Sequence, residues 1–110
     1  IYFKVVYVKH IKVTNYDEFL AMAQTQKFTI YQTIVETILS NINTRKKEIP
    51  IFEVEVENNG DTYTLSIQTE EFINTLETNL IHYENEEAYE GCQKIIEAIN
   101  YLKTKNGQKN

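Results

Sequence analysis

Apolar and polar residues alternate with a period of two at two places close together in the chain. Phe52, Val54 and Val56 interleave with Glu53, Glu55 and Glu57, and Tyr63, Leu65 and Ile67 interleave with Thr62, Thr64, Ser66 and Gln68. This period puts each apolar set on one face of a strand, so residues 51–68 read as a β-hairpin. Asn59-Gly60 lies between the runs, and Asn-Gly is the preferred pair for a two-residue type I′ turn because both central residues need positive φ. That turn predicts Val56 opposite Tyr63, Val54 opposite Leu65 and Phe52 opposite Ile67, with Glu57, Glu55 and Glu53 opposite Thr62, Thr64 and Ser66. One face is then wholly apolar and the other wholly polar, and a slip of one residue would destroy both.

Elsewhere the period lengthens to that of a helix. From residue 28 to 43, Ile30, Tyr31, Ile34, Val35, Ile38, Leu39 and Ile42 recur at one, three and four residues, forming one wide stripe. Thr14 or Asn15 starts a short helix with Asp17 and Glu18 in its first turn. Thr69 heads another, with Glu70 and Glu71 behind it and Phe72, Ile73, Leu76, Leu80 and Tyr83 turned inward. Asn85 is placed to cap the last helix, whose stripe is Tyr89, Cys92, Ile95, Ile96, Ile99 and Leu102. With only residues 84–86 between them, these two helices must run antiparallel. Residues 2–8, dense in β-branched and aromatic side chains, read as a further strand with Lys4 and Lys9 as its charged positions. Residues 44–50 form a basic connector ending in Pro50, and Lys103 onward a flexible polar tail. The expected fold is α+β: a small antiparallel sheet containing the 51–68 hairpin, its apolar face covered by helices, followed by a C-terminal antiparallel helical hairpin.

Composition narrows this little further. A chain of 110 residues makes one domain, and three glycines with one proline favour regular elements joined by short connections. One cysteine excludes an internal disulfide, and no apolar run nears the roughly 18 residues of a membrane span, so a soluble cytoplasmic protein is expected. The wealth of Asn, Ile, Lys, Glu and Tyr suggests an AT-rich genome such as that of a low-GC bacterium or a phage.

Charge changes the picture more, because it is sorted by position. Residues 1–47 hold seven basic and three acidic residues; residues 48–100 hold thirteen acidic residues against Lys94 alone; the last ten add three lysines. Such a middle block suits a basic protein partner and repels nucleic acid. Within it, Glu53, Glu55 and Glu57 project from one strand face about 6.8 Å apart, at roughly 3.4 Å per residue. They read as a solvated face, an electrostatic binding surface resembling a phosphate backbone, or, least of all, a cation site, since no lysine lies between Lys47 and Lys94. Glu84, Glu86, Glu87 and Glu90 crowd the tip of the helical hairpin; capping and dipole compensation account for Glu86 and Glu87. The functional alternative is an acidic knob with Tyr83 and Tyr89 as aromatic anchors.

The run 86–102, with Tyr89, Glu90, Cys92, Ile95, Glu97, Ile99 and Leu102 in place, resembles the UVR-type motif of excision-repair and bacterial stress-adaptor proteins. Gln93 stands where that motif has a second small residue, and Ile96 where it has a basic one. The resemblance implies an antiparallel helical hairpin that docks another protein.

Cys92, on an apolar stripe, is expected to be a buried, inert thiol, and His10 and His82 have no second histidine at helical spacing. Arg45, Lys46 and Lys47 lack the interleaved aromatics of a nucleic-acid surface. No catalytic residue, cofactor or metal site is expected. The leading expectation is a small non-catalytic, protein-binding adaptor or inhibitor, of phage or mobile-element type, with a partner of basic surface. The alternatives are an acidic nucleic-acid mimic of the anti-CRISPR or anti-restriction type and a small metal-dependent nuclease.

Overall fold

The computed structural model describes residues 8–106. In chain order it has strand β1 (Lys9–Val13), helices α1 (Tyr16–Thr25) and α2 (Lys27–Ser40), strands β2 (Glu48–Val56) and β3 (Asp61–Gln68), a single 3₁₀ turn (Thr69–Glu71), and helices α3 (Phe72–Asn85) and α4 (Tyr89–Lys105). The expected α+β architecture is present. Its sheet is mixed, in the order β1-β2-β3, with β2–β3 antiparallel and β1 parallel to β2. The strand expected over 2–8 lies outside the described residues apart from Val8, which belongs to no element; the observed strand follows it, with Ile11 and Val13 opposite Val54 and Val56.

The hairpin keeps its expected faces and changes its loop. Val56 pairs with Asp61, Val54 with Tyr63 and Phe52 with Leu65, two residues off the register that a type I′ turn would impose. The loop is the four residues 57–60: Gly60 N–H bonds Val56 C=O, Gly60 has φ of 71°, and Asn59 has no positive φ. The cause lies in β1. Its end takes up the first half of the loop, because Glu57 N–H bonds Val13 C=O at 2.9 Å and Asn58 N–H bonds Thr14 C=O at 3.0 Å. Asn59 still acts, its Oδ1 accepting from Asp61 N–H.

Pro50 lies inside the central strand, a place a residue without an N–H tolerates only at an irregularity. The ladder does shift between Pro50 and Phe52, with Ile51 as the extra residue. The bulge lets Ile49 pair with Ile67, on the same side as Phe52 opposite Leu65. Ile49 then joins the core of α2, α3 and α4, whereas Ile51, Phe52, Val54 and Val56 form a second core with Val13. The wide stripe of α2 serves both: Ile30 packs against the sheet core, Val35 and Ile38 belong to the helical core, and Ile34 touches each. The helical cover reaches Ile67 but not the rest of the inner face of β3. Tyr63 and Leu65, expected inward, are 47% and 45% exposed.

Asn15 is the cap of α1: its Oδ1 accepts from Glu18 N–H, and the Glu18 carboxylate accepts from Thr14 N–H. Thr69 does not cap a helix side chain to backbone; its hydroxyl bonds the carbonyls of Lys46 and Lys47, tying the exit of β3 to the connector before β2. The C-terminal helical pair is present, and α4 runs into the stretch expected to be tail. Lys105 Nζ donates to Ile42 C=O and Asn43 Oδ1, and Tyr101 OH also donates to Asn43 Oδ1, fastening the end of α4 to the end of α2.

Candidate functional site: the acidic turn between α3 and α4

The turn between the last two helices lies one step later than expected. Asn85 closes α3 rather than capping α4, and residues 86–88 make the connection. Ala88 N–H bonds Tyr83 C=O at 2.9 Å and Glu87 N–H bonds Glu84 C=O at 3.0 Å, the crossed pair of a Schellman motif. The residue after the C-cap must then be left-handed, and this position is normally glycine. Here it is Glu87, with φ of 56°, the sole non-glycine residue of positive φ among those described. A side chain there costs about 1–2 kcal/mol of backbone energy.

Tyr83 and Gly91 fix how closely the two helices approach. A Cβ on Gly91 would lie 2.5 Å from both Cδ2 and Cε2 of Tyr83, so only glycine lets α4 rest on that ring. Tyr83 is 6% exposed and tilted against Phe28 at a centroid distance of 5.1 Å. It belongs to the core, as its inward place on α3 predicts, and is not exposed as the alternative role of aromatic anchor would need. Burial first, then the nearby Glu36 carboxylate and the Cys92 side chain, raise its phenol above the usual tyrosine value. Tyr89 is the reverse case. It is the first residue of α4, beyond the reach of α3, and is 67% exposed instead of lying on the packed stripe. Ile96, expected on the same stripe, is also exposed, while Cys92, Ile95, Ile99 and Leu102 are buried as expected. His82 stacks on Tyr31 of α2 at 3.9 Å and 7°.

Glu84, Glu86, Glu87 and Glu90 are therefore gathered with Tyr89 on one exposed turn. Among the described residues no cation lies within ion-pair distance of these four carboxylates. The strand ladder differs. Parallel pairing sets His10 opposite Glu53 and Lys12 opposite Glu55, and the side chains meet as His10 Nδ1–Glu53 Oε1 at 3.8 Å and Lys12 Nζ–Glu57 Oε1 at 3.6 Å. The first is an ion pair only when His10 carries a proton. The lysine that the sequence lacks behind the ladder thus comes from β1. The two acidic groups sit on different elements: the ladder is on β2, and the turn closes the far end of α3, whose fourteen residues span about 20 Å at 1.5 Å per residue.

No family model, curated protein or solved structure matches the chain.

Among the described residues no three His, Cys, Asp or Glu side chains are grouped to hold a metal ion, and no helix is long and apolar enough to cross a membrane. Sequence reasoning named Glu87 for its charge but missed its left-handed backbone, and it passed over Gly91. For Gly91 there was a signal, a glycine within an otherwise helical pattern, which marks close approach. For Glu87 there was none, because its conformation follows from where α3 stops.

Proposed function

We propose that this protein is a non-catalytic binding module of the cytoplasm, an adaptor or inhibitor that presents the turn between α3 and α4 to a basic surface on another protein. The observation that carries the reading is the left-handed Glu87. Glycine would relieve the strain there, so a glutamate costs stability, and strain of this kind concentrates where a side chain is needed for something other than folding. Its neighbours supply the rest of an interface. Glu84, Glu86 and Glu90 add negative charge that steers a basic partner, and the exposed Tyr89 is a rigid aromatic of the kind that anchors interfaces. The resemblance of 86–102 to UVR-type docking hairpins points to the same use.

The nucleic-acid-mimic reading leans instead on Glu53, Glu55 and Glu57, and the pairing of two of them with β1 dilutes that charge. A nuclease would use the same strands, with Lys12 beside the carboxylates. Cleavage of nucleic acid on addition of Mg²⁺, abolished by a single Glu→Gln change on β2, would establish it in place of the proposal.

The test separates folding from binding in one residue. With the partner identified by affinity capture from the native host, Glu87→Gly should raise stability by about 1 kcal/mol and weaken binding. Charge reversal at Glu84, Glu86 and Glu90 should slow association, steeply so at low salt. Unchanged affinity in both variants would remove the turn from the interface.

A further inference from the structure

The outer edge of β3 has no hydrogen-bonding neighbour among the described residues, since β3 ends the order β1-β2-β3. Edge strands are ordinarily blunted by shortness, lysine, proline or a bulge, because their free N–H and C=O groups are a template for another strand. The other edge strand, β1, is five residues long and carries Lys9 and Lys12. β3 has eight residues with no lysine, arginine, proline or glycine, and its single charge is Asp61 at its start. The same strand bears uncovered apolar surface. Tyr63 and Leu65 are nearly half exposed although their partners on β2, Val54 and Phe52, are buried.

We infer that β3 pairs antiparallel with β3 of a second copy, joining two three-stranded sheets into one of six strands. The sequence of the strand argues for a copy of itself as occupant. A two-fold axis perpendicular to the sheet leaves each face on its own side, so residues of the same parity meet. Centred on Leu65, the pairing sets Leu65 against Leu65, Tyr63 against Ile67, Thr64 against Ser66 and Thr62 against Gln68. Apolar residues meet apolar residues, polar meet polar, and Asp61 falls opposite Thr69 at the margin. Charge selects the same strip. A chain of net charge −5 repels its copy on the whole, whereas residues 62–69 carry no charge at all. Side by side, the two Tyr63–Leu65 rows would cover one another in the space left between the two helical layers.

Sedimentation or light scattering over about a hundredfold dilution reads this directly. The wild type should have twice the monomer mass and dissociate on dilution, and backbone amides of 61–68 should exchange more slowly as concentration rises. Leu65→Lys, which sets two like charges face to face on the axis, should be monomeric at concentrations where the wild type is dimeric. Leu65→Thr keeps a good strand former and should weaken the dimer without a change in circular dichroism, so a folding defect in the lysine variant is told apart. Glu87→Gly should leave the mass unchanged, keeping this test independent of the turn. A wild type that is monomeric throughout, a dimer that survives Leu65→Lys, or β3 amides indifferent to concentration would each overturn the inference; so would a monomer whose β3 edge takes up an unrelated extended peptide instead.

Discussion

Gly91→Ala should destabilise the protein even though alanine is the better helix former. The new Cβ would lie 2.5 Å from two ring carbons of Tyr83. Carbon atoms rest about 3.5–4.0 Å apart, so helix or ring must yield by about 1 Å. The ring has little room, being buried and set against Phe28. Overpacking of this kind costs about 1–3 kcal/mol, and the helix-propensity gain of about 1 kcal/mol is reduced because Gly91 sits in the first turn of α4. The net loss is about 1–2 kcal/mol, a fall of about 1 M in the urea midpoint for a chain of this size. Urea unfolding of four proteins isolates the cause: wild type, Gly91→Ala, Tyr83→Ala and the double variant. Without the ring the added methyl has nothing to strike, so Gly91→Ala should turn neutral or favourable in the Tyr83→Ala background, a coupling of about 2 kcal/mol. A Gly91→Ala protein with a raised midpoint, or the same effect in both backgrounds, would refute the close approach of α4 to Tyr83.

The buried Oδ1 of Asn79 has no hydrogen-bond partner, although its amide donates to Thr75 C=O at 2.8 Å; Asn79→Leu, similar in shape, should therefore raise the urea midpoint, by about 1 kcal/mol in stability, and Asn79→Asp should lower it. Gly60→Val should cost about 1–2 kcal/mol through backbone strain alone, because nothing lies within 4 Å of a Cβ built there; Gly60→Asn, measured alongside, should cost less. Cys92 is buried, so a thiol reagent should modify it slowly in the native protein and at once in urea. Burial raises the Tyr83 phenol, so unfolding at alkaline pH releases its proton: its contribution is complete below about 10 and is lost as pH rises toward the folded-state value. Urea midpoints followed upward from pH 9 should fall less steeply in Tyr83→Phe.

What the sequence reveals of this fold is what is local. Alternation on both sides of Asn59-Gly60 is enough to assign the faces of β2 and β3, since a two-residue change of register preserves parity. The loop length depends on Val13 and Thr14, which are distant in sequence and leave no mark on the hairpin. The stripe of α2 is legible, but not that it divides between two cores, nor that the cover ends before Tyr63 and Leu65. Charge sorting is real in the chain and partly undone in space, because parallel pairing brings His10 and Lys12 onto the glutamate ladder. At the helical turn the carboxylates could be named in advance. Asn85 read as a cap because its residue type favours caps, whereas the Schellman bonds of Glu87 and Ala88 decide where α3 ends.

The parallel pairing of β1 with β2 also governs the order in which the molecule is assembled during synthesis. The hairpin of β2 and β3 and the pair α3 and α4 each close over a short stretch of chain, but β1 leaves the ribosome well ahead of the strand it needs. At about 5–20 residues per second, translation from β1 to the end of β2 takes on the order of seconds, against microseconds for a hairpin to form. Through that interval Ile11 and Val13 have no Val54 and Val56 to meet. The lysines at either end of Ile11, Lys9 and Lys12, accompany the strand through its wait, and their charge disfavours premature pairing with another nascent chain.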